Sequence, residues 1–287
     1  MYICMDKIID ICKKYNITPV NGNMIGCATG IGDILFRLLC IKNKLISEPF
    51  YINLEWFTKP YYKMEPINQF DFRIKLIIDI IKYNNIPSEM VRFVISNNSS
   101  INHWLPYECI ENYNLKFDDT NENINLDEYI IFHTKCRHTR DENYSVFKQI
   151  IARFCSNNTS KYKIIIMGER IFPHTEEVDV HGITTVYNEL IELKNHNDII
   201  DNSIENIYSN LDYDNYKKDI KLIQNAKYNI CFGLGGQLCT STIFGKSTIV
   251  YCKVNQTLNT HNFKKNNFFC NNLNDFFTLI KEKCFLH

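Results

Sequence analysis

Hydrophobic and polar positions follow a repeating order along the chain: a short apolar run, a polar loop, then an amphipathic segment. Apolar runs without strict alternation predict strands that are buried on both faces, as in a parallel sheet. We predict strands at 24–28, 50–54, 91–96, 129–133, 162–168, 196–201, 228–233 and 247–252.

The segments between these runs have the spacing of amphipathic helices. In the segment 72–84, for example, Ile74, Ile77, Ile78 and Ile81 recur along one helical face. We predict helices at 33–44, 72–84, 144–155, 212–226, 234–245 and 272–284. Strands that alternate with helices predict right-handed crossovers, and therefore an α/β fold with parallel sheets.

A polar stretch at 116–128 divides this pattern, which is more regular after it. We predict two Rossmann-like, doubly wound domains, residues 1–125 and residues 126–287, that face each other across a cleft. Ligands bind such folds at the carboxyl ends of the strands. The sequence leaves open whether the final helix packs on its own domain or back on the first.

Charge and cysteine content indicate which kinds of partner, metal site and compartment the sequence favours. The chain has 32 Lys and Arg against 32 Asp and Glu, so no overall field attracts nucleic acid or an anionic membrane. Its 12 cysteines include no C-x-x-C pair and no zinc-type spacing. Charged residues interrupt the first residues too early for a signal peptide, and no apolar run has transmembrane length. We therefore expect a cytoplasmic protein in a reducing compartment, without a structural metal.

Glycines in the first half precede an acidic residue. Gly30 and Gly32 lie just before Asp33, and from Gly26 onward the order is G-x-x-x-G-x-G, unlike the G-x-G-x-x-G dinucleotide fingerprint. Glycines there would let a ligand approach the backbone closely, with Asp33 acting as a general base. Alternatively, Asp33 is an acid at a helix N-terminus, where the helix dipole stabilises negative charge.

A second glycine cluster, at 232–241, follows a predicted buried strand and opens a helix, which is the arrangement of an anion site. The candidate groups are the backbone N–H groups of Gly235, Gly236 and Gln237 and the hydroxyls of Thr240 and Ser241. Alternatively, these glycines only permit a tight turn between strand and helix.

The Gly-Lys-Ser-Thr segment at 245–248 looks like the end of a phosphate-binding loop. However, the loop's first glycine is replaced by Thr240, and a helix precedes the segment where the motif needs a strand. We predict instead that Gly245 ends the helix in a left-handed conformation.

Two further groups follow strands of the second half. The candidate phosphate ligands after the strand 129–133 are Thr134, Lys135, Arg137 and Arg140, and further hydrogen-bond donors there are His133, His138 and Thr139. Gly168 and Glu169 end the next strand, where Glu169 would accept hydrogen bonds from a ribose or sugar diol. The alternatives are a solvated basic loop and a surface turn. The His- and acid-rich stretch 173–182 lacks the His-Glu-x-x-His spacing of a metal site, so we interpret it as exposed polarity.

Three short motifs together resemble a known class of enzyme. They are Gly-x-Gly-Asp at 30–33, His-Thr-x-x-Arg at 133–137, and a strand–Gly-Gly–helix segment at 228–245. The chain resembles the GT-B glycosyltransferases, and within them the heptosyltransferase-like glycosyltransferase family 9. That resemblance implies two Rossmann-like domains, with a nucleotide-sugar donor bound mainly by the second and an acceptor by the first.

The resemblance also implies residue roles. The catalytic aspartate of the family falls on Asp33, its phosphate-contacting residues fall on Lys135, Cys136 and Arg140, and the glycine of the donor helix falls on Gly236. There are departures from the family pattern. Lys135 and Cys136 replace hydroxyl residues, Leu234-Gly235-Gly236 replaces Asp-Thr-Gly, and Cys239 replaces a histidine.

The resulting expectation is an inverting, metal-independent glycosyltransferase. It would move a sugar from a nucleoside diphosphate, its co-substrate, to a hydroxyl of a glycan or small-molecule acceptor, with no other cofactor. Asp33 would take the proton, and the basic residues with the helix N-terminus would stabilise the departing diphosphate. Two alternatives remain open on the same fold: a non-catalytic protein that binds a nucleotide or glycan, and a two-domain nucleotide-sugar epimerase.

Overall fold

The chain is an α/β protein with parallel sheets. A computed structural model describes residues 5–21, 31–54, 67–95, 106, 109–117, 126–134, 159–170, 183–192, 197–205, 212–232, 236–251 and 267–286. It divides into two compact units. The first comprises residues 1–121 and 211–216, and the second comprises residues 122–210 and 217–287.

The first unit contains a parallel sheet of three short strands. They are β1 (Val20–Asn21), β2 (Phe50–Asn53) and β3 (Val91–Ile95), in the order β1-β3-β2. Its helices are α1 (Met5–Lys14), α2 (Ile31–Lys42) and α3 (Ile67–Tyr83). The strands predicted at 50–54 and 91–96 and the helix predicted at 72–84 are thereby confirmed.

Two features of this unit differ from the sequence prediction. Helix α2 begins at Ile31, so Asp33 is its third residue rather than its first. Helix α1 was not predicted, although Ile8, Ile11 and Cys12 lie on one helical face and are buried. The strand predicted at 24–28 lies outside the described residues.

The second unit contains a parallel sheet of six strands. Its strands are β4 (Tyr129–His133), β5 (Lys163–Glu169), β6 (Ile199–Ile204), β7 (Tyr228–Phe232), β8 (Thr248–Tyr251) and β9 (Asn267–Cys270). Its helices are α4 (Ile183–Ile191), α5 (Tyr213–Asn225), α6 (Gly236–Phe244) and α7 (Leu273–Cys284). Residues 213–216 of α5 belong to the first unit. The strands β4 to β8 and the helices α5 to α7 confirm the predictions. The sequence did not predict α4 or β9. The helix predicted at 144–155 lies outside the described residues.

The strand order in this sheet is β6-β5-β4-β7-β8-β9, and every pairing is parallel. Counted along the unit, this is the doubly wound order 3-2-1-4-5-6 of a Rossmann-like fold. Chain progression reverses between β4 and β7, the two central strands. Ligands of open α/β sheets bind at this switch point, outside the carboxyl ends of the strands.

The main core of the unit lies on one face of the sheet. Ile130, Phe132, Ile230 and Phe232 pack there with apolar residues of α4 and α7. The rings of Phe232 and Phe276 meet edge to face, with centroids 5.6 Å apart. Because Phe276 belongs to α7, the final helix packs on the sheet of its own unit, which answers the question that the sequence left open.

Candidate functional site

The switch point brings together the two strands whose following loops carry the strongest sequence signals. β4 ends at His133, and the backbone N–H of Thr134 donates to the carbonyl of Met167 across 2.9 Å, which continues the sheet by one residue. β7 ends at Phe232, and α6 begins at Gly236. The strand that precedes the basic residues and the strand that precedes α6 are therefore neighbours in the sheet.

Thr134 places a hydroxyl group at this edge. The residue is fully buried, and within the described part of the chain its Oγ1 has no hydrogen-bond partner. A buried hydroxyl without a partner is costly, which is one reason such groups occur where a ligand binds. The neighbouring candidates Lys135, Arg137, Arg140 and Gly235 lie outside the described residues.

Gly168 and Glu169 end β5, the strand beside β4. Gly168 has φ 118°, a backbone conformation that L side chains rarely adopt, and it pairs with Ser203 of β6. Glu169 is only 3% exposed. The carboxyl group thus lies in the sheet edge rather than on a solvated turn, so the surface-turn alternative is wrong for Glu169.

Helix α6 begins at Gly236, as the prediction of an anion site requires. Thr240 is 5% exposed and Ser241 is fully buried, one turn into the helix. The hydroxyl of Ser241 is already engaged inside the protein, because its Oγ lies 3.0 Å from Nε2 of His133. The prediction that Ser241 adds a hydroxyl to an anion is therefore wrong. The side chain of Gln237, another candidate residue of the anion site, lies outside the described part of the chain.

The predicted conformation of Gly245 is also wrong. Among the described glycines, a positive φ occurs at Gly168 and not at Gly245. The N–H of Gly245 donates to the carbonyl of Ser241 across 2.9 Å, so the residue continues the helical hydrogen bonding. A glycine is present because there is no room for a side chain, not because the backbone is left-handed. An added β-carbon would lie 2.5 Å from that same carbonyl oxygen.

His133, which the sequence predicts only as a hydrogen-bond donor beside the phosphate ligands, is buried at this edge. It is 1% exposed, and its burial lowers the pKa of the imidazole to about 4, against a smaller opposing effect of the Asn229 side chain. The ring is therefore neutral near pH 7. Its position two residues after Ile131, on the same face of β4, was the signal that it points into the protein.

The first unit holds the candidates Asp33 and Gly32; Gly30 lies outside the described residues. Asp33 is partly exposed in the first turn of α2, where the helix dipole stabilises a carboxylate. Gly32 is buried as the second residue of α2. It is part of the helix and not of an acceptor loop, so that part of the prediction is corrected.

Within the described residues, no group of three or more His, Cys, Asp or Glu side chains is arranged to hold a metal ion. No described helix is both long enough and apolar enough to cross a membrane.

The fold and the edge residues together define a doubly wound α/β protein whose expected ligand site is the switch point of the six-stranded sheet. No protein-family model, curated protein or solved structure matches the chain.

Proposed function

We propose that the second unit binds a nucleoside diphosphate sugar and that the protein transfers the sugar, with inversion, to an acceptor hydroxyl. The observation that carries this proposal is the strand order of the six-stranded sheet. It makes β4 and β7 neighbours at the switch point, and these are the strands followed in sequence by the basic loop and by the glycine turn into α6.

The diphosphate is assigned to the space between these two segments. Lys135, Arg137 and Arg140 follow Thr134 in the chain and supply positive charge. The first N–H groups of α6 lack partners within the helix and carry the positive end of its dipole. These groups oppose the charge that grows on the departing diphosphate, and a single preorganised donor contributes about 2.7–4 kcal/mol in such sites.

The ribose or sugar hydroxyls are assigned to Glu169. This residue ends β5, which pairs with β4 on the side opposite β7. A carboxylate at the end of that strand accepts two hydrogen bonds from a vicinal diol. The buried position of Glu169 holds the carboxyl group at a fixed place on the sheet edge.

In the same proposal the two units face each other across a cleft and the first unit binds the acceptor. Asp33 takes the proton of the acceptor hydroxyl while the new glycosidic bond forms at the anomeric carbon. The bond from that carbon to the diphosphate oxygen breaks, and the electron pair leaves with the diphosphate. The basic residues then do the work of stabilising the leaving group without a metal ion.

A thermal-shift screen tests the binding step. Wild-type protein is mixed with UDP, GDP, ADP, CMP and dTDP and with their common sugar conjugates. A ligand present at about 100 times its Kd adds about 2.7 kcal/mol of stability, which raises the Tm by several degrees. Arg140→Ala should abolish the shift, whereas the control Lys246→Ala, which removes an exposed charge beyond the other end of α6, should keep it. A chain that no nucleotide stabilises would contradict the proposal.

The transfer step needs a separate assay. Release of sugar from the stabilising donor should be lost in Asp33→Asn while donor binding is kept, and the exposed Asp10→Asn should leave both unchanged. Leu234 and Cys239, which depart from the resembled family, favour the second candidate, a protein that binds the nucleotide without transferring sugar. Binding without release by wild type supports that candidate. A rearranged donor in the absence of acceptor supports the epimerase.

A further inference from the structure

The face of the six-stranded sheet that lies under α6 contains a group of buried polar side chains. Asn229 pairs with Ile131 and with Thr248 across the sheet, so the three side chains share a face. His133 follows Ile131 by two residues and Cys231 follows Asn229 by two, which places them on this face as well. Cys231 also packs with Leu238 of α6 and Val250 of β8.

Two of these side chains, Cys231 and His133, are connected through Ser241 of α6. Sγ of Cys231 donates to Oγ of Ser241 across 3.9 Å, and Oγ of Ser241 lies 3.0 Å from Nε2 of His133. With Oγ of Ser241 accepting from the thiol, its own proton is available to Nε2 of His133. The contacts thus join β7, α6 and the end of β4.

Asn229 defines the other side of the imidazole. Its Nδ2 donates to the carbonyl of Ile223 across 3.2 Å, which leaves Oδ1 as its remaining acceptor. Oδ1 of Asn229 and Nδ1 of His133 are both buried and, within the described residues, neither forms a hydrogen bond. The Asn229 side chain raises the pKa of the imidazole, which is the effect of an acceptor near a protonated ring nitrogen.

Burial of a histidine, an asparagine and a serine at this place is costly compared with apolar packing of the kind found on the opposite face. Apolar contacts hold a helix against a sheet, but the hydrophobic effect has no preferred direction. A hydrogen bond between fixed atoms sets one position. The polar group lies directly beneath the helix whose first N–H groups are assigned to the diphosphate.

We propose that His133 is a positioning residue: as the Nδ1-protonated tautomer it accepts a hydrogen bond from Ser241, and this bond sets the position of α6 relative to the end of β4. The positioning of the helix stands on the contacts alone, whereas its consequence for the diphosphate rests on the proposed function.

The first test is the protonation state of the ring. Nitrogen NMR of ¹⁵N-histidine-labelled protein should show His133 with a protonated Nδ1 and an unprotonated Nε2 at pH 7. In Ser241→Ala the Nε2 signal should shift because its donor is gone. In the control Thr242→Val it should not shift, because the Thr242 hydroxyl accepts from Asn267 of β9, across 3.2 Å. A proton on Nε2 in wild type would overturn the proposal.

The second test separates a local effect on α6 from a general loss of stability. In Ser241→Ala, amide hydrogen exchange in the first half of α6 should accelerate roughly tenfold, the equivalent of about 1.4 kcal/mol. Exchange in α7, which packs on the opposite face, should stay unchanged. Thr242→Val loses the part-buried hydrogen bond from Asn267 to the same helix and should not accelerate exchange in its first half. Equal acceleration in both variants, or in α6 and α7 alike, would show that Ser241 is merely one stabilising contact.

The third test concerns the ligand. The Kd of the diphosphate found in the thermal-shift screen should rise about tenfold in Ser241→Ala and stay within twofold in Thr242→Val. Unchanged affinity in Ser241→Ala would refute the link to the ligand. If no nucleotide binds wild type, the proposed function fails, and the NMR and exchange measurements still decide whether His133 positions α6.

Discussion

A β-carbon placed on Gly245 would lie 2.6 Å from Nδ2 of Asn229. That amide cannot move away freely, since Nδ2 donates to the carbonyl of Ile223 across 3.2 Å. The same β-carbon would lie 2.5 Å from the carbonyl oxygen of Ser241, which is backbone of α6. Gly245 therefore allows the end of α6 to lie directly against β7.

Gly245→Ala should lower the free energy of unfolding by about 1–3 kcal/mol, because the methyl group has no space and neither neighbour can give way cheaply. Urea denaturation should show a lower midpoint with an unchanged m-value. Lys246→Ala, at the exposed next residue, is the matched control and should stay within about 0.5 kcal/mol of wild type. Equal stability of the two variants would contradict the packing argument.

His133 should make the protein less stable in mild acid. The pKa of its imidazole is about 4 in the folded chain, against an ordinary 6.5. Between these values the unfolded chain binds a proton that the folded chain does not, so this contribution is full above about pH 6.5 and is lost as the pH falls. The loss should approach about 3 kcal/mol near pH 4. Urea titrations at several pH values give the free energy of unfolding. From pH 7 to pH 4 this free energy should fall more for wild type than for His133→Gln, and an equal fall in both would exclude the effect.

Asp219 has the opposite dependence. Burial raises the pKa of its carboxyl group to about 6, and a hydrogen bond of 2.9 Å from Nδ2 of Asn202 offsets part of that increase. The folded chain holds the proton more tightly, so stability is lost as the pH rises from about 4 to 6. Asp219→Asn keeps the acceptor and removes the charge. It should stabilise the protein by about 1–2 kcal/mol at pH 7 and hardly at all at pH 4. Asp214→Asn, which removes a carboxylate at an exposed position of the same helix, is the control.

Tyr213 should anchor the segment 211–216 in the first unit. Its hydroxyl donates to Asp79, its ring lies edge to face with Phe72 at a centroid distance of 5.9 Å, and Nζ of Lys75 lies 4.1 Å from the ring centroid. Burial and Asp79 both raise the pKa of the phenol. Tyr213→Phe should cost about 1–2 kcal/mol for the lost donor, and Tyr213→Ala about 3–5 kcal/mol because the ring is lost too. A Phe variant as unstable as the Ala variant would show that the ring contributes little.

Much of the fold could be predicted from sequence because its signals are local. The β-branched runs of β4, β5 and β8 are typical of strands buried on both faces, and the helices between them follow helical spacing. β9 contains no β-branched residue, so the sequence did not predict it. Only Cys270 of its four residues is buried. The start of α2 was predicted at Asp33 instead of Ile31, because the first residue of a helix depends on capping and packing as well as on the pattern.

The candidate site also has a part that local sequence patterns predict and a part that they do not. Thr134, Glu169 and the glycine turn before α6 were recognised because each directly follows or ends an apolar run. His133 and Ser241 were both predicted to serve an anion, because the sequence does not show that the two side chains contact each other. These two residues are 108 positions apart in the chain, and no local pattern connects them.

The sequence by itself determined that the chain alternates strands and helices, that the strands are buried, and that basic residues and glycines follow particular strands. Periodicity and composition are properties of neighbouring residues, so they can be recognised without a structure. Tertiary structure alone decided that β4 pairs with β7, that His133 meets Ser241, and that Gly245 has no space for a side chain. Each of these depends on pairing between distant segments, which is set by how the whole sheet buries its two faces.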